Sequence, residues 1–325
     1  MKQTLNRRQM LAAGASVMGG MAVFGAGLSS RARAGPPLHQ PGMMSHVPGD
    51  FDLPVKEMEQ IIQAQGTISN GLLHIPVDRN DIKNVTLRGV HILPSFEING
   101  DLYFEPLGDG RCAMNSDLCV EPEEVDPFID QLVMHDITFQ ALHQHFYDFV
   151  PIVFFIHFRA MGDPIQIARG IKAALNATST PFPQTLPKHP STPLPAQEIG
   201  RIIGAMPTVS SGGVVSMDVP RRNPIMLGGI RVNPYLNIAQ PVSFQPLDDS
   251  GKKAAAVPDF GMVAKEIQPL MKLMRSRSWD VGCLYNQETD EFPQLFFSHQ
   301  FKVGDPIELA HEVRAGLELT DSKFM

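Results

Sequence analysis

Cysteine is scarce in this chain, three residues (Cys112, Cys119 and Cys283) in 325, too few for a disulfide scaffold. None is needed at this length, because two domains of ordinary size each bury a sufficient core. An odd count leaves at least one thiol unpaired. Cys112 and Cys119 lie at odd spacing on one expected strand and share no bridge geometry, so all three are read as small core residues. Tryptophan occurs once, and charged residues make up 19% against 43% hydrophobic, which excludes a disordered or collagenous chain. Several catalytic signatures are also missing: there is no Gly-rich phosphate loop, Gly-x-Ser-x-Gly elbow, His-Glu-x-x-His helix or Cys-x-x-Cys-His haem site.

Acidic residues are absent from the N-terminus. Asn6-Arg7-Arg8-Gln9-Met10-Leu11 leads into an apolar, Gly/Ala-rich run from Met10 to Leu28, followed by Ala32-Arg33-Ala34. This is the order of an export signal, and the paired arginines before a weakly hydrophobic stretch resemble the twin-arginine consensus. Residues 1–34 are therefore expected to be removed after Ala34, delivering the protein to the periplasm. The rival reading is an uncleaved anchor, since the run approaches the length that spans a bilayer; its glycines and the Ala-x-Ala site favour cleavage, and no cysteine offers lipid attachment, so no stable membrane anchor is expected after cleavage. Cleavage takes away five basic side chains and no acid, leaving 22 basic against 34 acidic, a balance near −12. Such a chain is repelled by nucleic acid and anionic lipid, which excludes both as general electrostatic partners.

The chain matches itself at a shift of about 141 residues. Leu53-Pro54, Glu57 and Ile61-Ile62 recur as Leu194-Pro195, Glu198 and Ile202-Ile203. Asp117, Glu124, Phe155, His157 and Gly162-Asp163-Pro164-Ile165 recur 142 residues later as Asp259, Glu266, Phe297, His299 and Gly304-Asp305-Pro306-Ile307. Residues 53–179 form repeat 1 and 194–325 repeat 2, joined by a proline-rich connector over 180–193. Residues 35–52 read as an irregular arm; His39, Met43, Met44 and His46 in it resemble soft-metal ligands, while a disordered tail is the plainer reading.

Periodicity within repeat 1 predicts a helix over 55–65 and strands near 71–77, 84–92, 100–106 and 111–119. A helix follows over 121–135, opened by Pro122 and acids, then strands over 137–146 and 151–159, and a last helix from Asp163 to 177 with Asp163 as N-cap and Pro164 at its first position. The fold class is α+β: two tandem copies of one unit, each a mainly antiparallel sheet with helices packed on one face.

The stretch Ala141-Leu142-His143-Gln144-His145, then Phe154-Phe155-Ile156-His157 and Gly162-Asp163, resembles the LppY/LpqO family, a family of unknown function named after mycobacterial lipoproteins. The likeness covers both repeats. The chain departs from the family in having Gln144 where an Asn is usual and in lacking the lipid-attachment cysteine. The resemblance implies no established reaction.

His143 and His145, two apart on a strand, project from one face, and His157 lies on the next strand. An even register sum, with His143 opposite Phe155 or His157, sends all three imidazoles the same way. Three imidazoles suit zinc or copper with a position open for water or substrate, and Asp117, Asp148 and Asp163 are available as a fourth ligand or as orienters. At a shift of 142, His143 and His145 become Tyr285 and Gln287 while His157 stays as His299. Under this reading only repeat 1 keeps a working site. In the plainer one, His157 and His299 are core histidines bonded to backbone and His143 and His145 are surface polar groups.

Three functions follow. One is a periplasmic metal-binding protein, extending to metal-dependent hydrolysis; export of a folded chain suits metal loading before translocation. A second is a non-catalytic binding module that holds a small molecule or envelope component where the repeats meet. The third is a structural partner in an envelope complex. The export reading has its own check: N-terminal sequencing of the secreted protein is expected to start at Gly35, and Arg7→Lys/Arg8→Lys to leave the precursor uncleaved in the cytoplasm; a processed, exported variant would refute the twin-arginine route.

Overall fold

The computed structural model describes residues 52–325, so the expected signal peptide and the arm up to residue 51 lie outside the described residues. These residues form one compact unit. The first copy runs α1 (Val55–Ile62), β1 (Thr67–Ser69), β2 (Leu72–Asp78), β3 (Thr86–Leu87), β4 (Val90–His91), α2 (Pro94–Glu97), β5 (Asn99–Pro106), β6 (Cys112–Val120), α3 (Val125–Met134), β7 (Thr138–His143), β8 (Phe149–Val150), β9 (Phe154–Gly162) and α4 (Pro164–Leu175). The second runs α5 (Ala196–Ile203), β10 (Thr208–Val209), β11 (Val215–Val219), β12 (Met226–Leu227), β13 (Ile230–Arg231), β14 (Gln240–Pro246), β15 (Ala254–Met262), α6 (Ala264–Ser276), β16 (Asp280–Val281), β17 (Glu291–Phe292), β18 (Phe296–Gly304) and α7 (Pro306–Leu317).

Each copy builds a six-stranded sheet, in the orders β1-β2-β5-β6-β9-β7 and β10-β11-β14-β15-β18-β16, and a small three-stranded one. The ladders of both large sheets are antiparallel. The protein is thus α+β in two tandem copies, as its patterning implies. The expected strand over 84–92 is instead the hairpin β3–β4, because Arg88 and Gly89 take φ of 51° and 79° and turn the chain back. The four-residue helix α2 is too short to leave a periodic signal, and it carries a residue of the site described below. β9 starts at Phe154, three residues later than expected; Pro151 has no N–H to give to a ladder.

Alternation assigns the two faces of each sheet. Leu73, Ile75 and Val77 of β2 and Leu102 and Phe104 of β5 enter one core with α1, α3 and α4, while His74, Asp78 and Asp101 fall on the other face. α5, α6 and α7 cover the second sheet in the same way. The helix-free faces bury against each other. Cys119, Phe146 and Phe155 of the first copy share a cluster with Val214, Ala255 and Phe301 of the second, and Leu72 and Ala113 share another with Leu236 and Phe297. The layers are therefore helix, sheet, sheet, helix. Strands covered on both sides lose their alternation, and all nine residues of β15 are buried. The odd spacing of Cys112 and Cys119 resolves here: Cys112 faces the helices and Cys119 the other copy.

A buried ion pair recurs at the 142-residue shift. Arg79 lies 2.8 Å from Glu124 and donates to the Cys119 carbonyl at 2.6 Å; Arg221 lies 2.9 Å from Glu266 and donates to the Gly261 carbonyl at 2.6 Å. Each arginine ties the segment after an inner strand to the start of a helix, and each glutamate also accepts a backbone N–H there, from Glu121 or Val263. Removing one partner of such a pair strands a buried charge. Arg79→Ala is expected to lower the unfolding free energy by about 3–5 kcal/mol in chemical denaturation, and Arg79→Met/Glu124→Leu by less than that single change; a single change costing under about 1 kcal/mol, the surface-pair value, would refute this role.

Candidate metal centre between the two sheets

The register of β7 on β9 sets His143 opposite Phe155 and Ala141 opposite His157, the even sum that sends the three imidazoles one way. His143 Nε2 stands 2.9 Å from His157 Nε2. One nitrogen from each of His143, His145 and His157 lies within 4.8 Å of the others. His145 is reached just past the end of β7, where the chain turns inward, and is 7% exposed; His157, inside β9, is 3% exposed. The structure thus brings together the three histidines singled out from sequence.

Sequence reasoning missed Glu97. It sits at the end of α2, and its Oε2 lies 3.0 Å from His145 Nδ1, which directs His145 Nε2 inward with no partner of its own. A carboxylate on the far nitrogen of an imidazole fixes its tautomer and aims its lone pair, the usual support of a metal-ligating histidine. Nothing near Glu97 in sequence signals this, because its partner is 48 residues away. His299 completes the cluster: with Glu97 and His145 it forms a second group of ligand atoms within 4.8 Å, and its ring stacks on that of His145 at 3.6 Å between centroids.

The second copy contributes more than support. Tyr285 pairs with Phe297 as His143 pairs with Phe155, and the rings of Tyr285 and His143, equivalent positions of the two copies, stack on each other at 3.6 Å. The Tyr285 hydroxyl donates to Gln287 Oε1 at 3.1 Å and lies 3.4 Å from Asp259 Oδ2. Cys283 is half-buried rather than a core residue, with its sulfur 3.4 Å from His299 Nδ1.

The candidate acids part ways. Asp117 faces His157 across the ladder and lines the cavity next to the histidines. Asp148 is held 3.0 Å from Arg88. Asp163 accepts from the Ile165 and Gln166 amides at 2.9 and 2.8 Å as the N-cap of α4, which occupies it as a helix cap. In a further trio, Asp81, Glu121 and Glu124, Asp81 and Glu124 already hold the Arg79 guanidinium.

Burial sets the protonation states. It pushes His143 down to about 4 and, with the neighbouring imidazoles adding, holds His145 and His157 well below the ordinary range. It pushes Glu97 well up, with Asp259 and Asp117 adding, and Asp259 up to about 7. Burial thus disfavours charge on both sides of the Glu97–His145 contact, and a cation on His145 Nε2 would favour the carboxylate. His145, His157, Glu97, Tyr285 and His299 also line a cavity of about 620 Å³ between the sheets, within the usual range for small-molecule sites.

A family profile described as a domain of unknown function (DUF1259) matches residues 56–177 and again 197–319. No curated protein matches the chain. Among solved structures, the trimeric bacterial microcompartment shell protein PduB is 9% identical over 81% of this chain and 96% of its own, with a TM-score of 0.19. EtuB from Clostridium kluyveri is 10% identical over 81% and 96%, with a TM-score of 0.19. Scores that low establish no common fold. The site itself yields a check: in metal-free protein at about pH 5 to 8 the His143 ring resonances are expected not to titrate, and an ordinary imidazole midpoint there would contradict the burial that holds it neutral.

Proposed function

Because the chain belongs to the family of the DUF1259 domain, a label that assigns no reaction, we propose from its own residues that it is an exported, periplasmic metal-binding protein holding zinc or copper on His143, His145 and His157. The observation that carries this reading is the convergence of three buried imidazoles with ligand atoms within 4.8 Å of one another. Their burial keeps them neutral, the form that binds metal. Nitrogens on a tetrahedral zinc at about 2.0–2.1 Å stand about 3.4 Å apart, so the present 2.9 Å between His143 and His157 needs only a small opening. Glu97 would orient His145, and three nitrogen ligands leave a position for water or substrate on the cavity side, the arrangement that supports hydrolysis. The LppY/LpqO likeness of the histidine motif belongs to the same proposal.

A second reading, a non-catalytic module for a small molecule or envelope component, is favoured by the cavity of about 620 Å³ at the junction of the copies. Elemental analysis separates the two. Protein purified without chelator or affinity nickel is expected to carry close to one zinc or copper per chain, the His143→Ala/His145→Ala variant none, and Glu97→Gln to bind about 10–100-fold more weakly. A folded protein that takes up neither metal on reconstitution would leave the binding module standing and the metal centre refuted.

A further inference from the structure

The cavity holds a second set of groups that the metal reading does not use. Asp78 from β2, Asp101 and Tyr103 from β5, and Asp218 and Tyr235 from the second copy line it, as do Asp117 and Asp259 nearer the histidines. Apart from His145, His157 and His299 of the candidate metal centre, basic groups on its wall are few: His74, which lies 2.6 Å from Asp101 Oδ1 and stacks on Tyr103 at 4.4 Å, and Lys323. Among the described residues no cationic side chain stands within 4.0 Å of Asp78, Asp117 or Asp218. Asp259 lines the cavity and is 5% exposed, and its buried Oδ1 has no hydrogen-bond partner.

Nor do these acids converge on a point. The groups that offer three ligand atoms within 4.8 Å include none of Asp78, Asp101, Asp117, Asp218 or Asp259, so one small metal ion would leave most of them without a partner. Their distribution over both sheets suits a ligand with positive charges at separated places, and Tyr103 and Tyr235 add aromatic surface that attracts ammonium groups. A neutral polyol would supply hydrogen bonds but no charge.

We infer that the cavity binds an organic cation, a diamine or polyamine, held by Asp78 and Asp101 on one sheet and Asp218 on the other. The inference rests on the cavity being a ligand site and is independent of metal at the histidines. Burial lifts the Asp78 and Asp218 carboxyls to about 6 each; Asp101 adds to both shifts, and His74 partly offsets that of Asp218. An ammonium group beside them favours the ionised form and lowers both. The second sheet does not repeat the set: the ladders align Ser216 and Ser243 with His74 and Tyr103, so the two ends of a bound molecule meet different neighbours.

Two probes of one length, diaminooctane and octanediol, differ in charge alone. Isothermal titration of the full chain at physiological salt, where surface ion pairing is screened, is expected to show one saturable diaminooctane site per chain and none for octanediol. Asp78→Asn/Asp218→Asn, two positions outside the histidine cluster, is expected to weaken the diamine by about tenfold to a hundredfold while keeping the metal content of the parent. Equal binding of octanediol would overturn the cation assignment and leave the cavity as a ligand site. Binding of neither probe would overturn both. Diamine heats with many sites per chain, or undiminished in the folded variant, would place the amine on the acidic surface and likewise overturn it; should the variant not fold, the comparison of the two probes on the parent chain decides.

Discussion

A sheet with helices on one face has a second face to cover, and in this protein each copy covers the other's. That single constraint organises the rest. Leu72, Ala113, Cys119 and Phe155 of the first copy are buried in clusters shared with Val214, Ala255, Leu236 and Phe297 of the second. Hydrophobic burial over this area drives the docking. Hydrogen bonds then fix the alignment: Asn115 donates to Glu288 and to the Leu236 carbonyl at 2.8 and 3.0 Å, and Gln245 accepts from the Leu93 amide at 2.9 Å.

The same docking traps the polar residues of the inner faces. Histidines and carboxylates that would be hydrated on a free sheet are enclosed, and enclosure disfavours their charged forms. The neutral His143, His145 and His157, the raised Glu97 and the raised Asp259 share that one cause. Unpartnered buried atoms such as His145 Nε2 and Asp259 Oδ1 are costly to keep, and a cation bound beside them would offset that cost. The proposed metal at the histidines and the proposed amine at Asp78 and Asp218 would thus be two responses to one electrostatic condition.

The duplication was used unevenly. The buried arginine pairs, the Asp163 and Asp305 caps and the Asp–His cross-strand pairs recur in both copies, as expected of features that hold the unit together. His143 and His145, by contrast, meet Tyr285 and Gln287 at the equivalent positions, and these are not idle: Tyr285 stacks on His143 and reaches toward Asp259. The asymmetry gives one candidate site from two copies instead of two half-sites.

The sequence by itself determined the α+β class, the tandem copies, the helix cap at Asp163, and a shared direction for His143, His145 and His157 once the register was even. Those are local properties, carried by periodicity, turn residues and the period of two along a strand. Glu97 and His299 joined the cluster only in three dimensions, since one comes from a four-residue helix without periodicity and the other from the second copy. Cys283, read as core, emerged beside a histidine. The cavity and its shifted carboxyls were decided by sheet-on-sheet docking, a contact between positions far apart in the chain to which no local pattern corresponds.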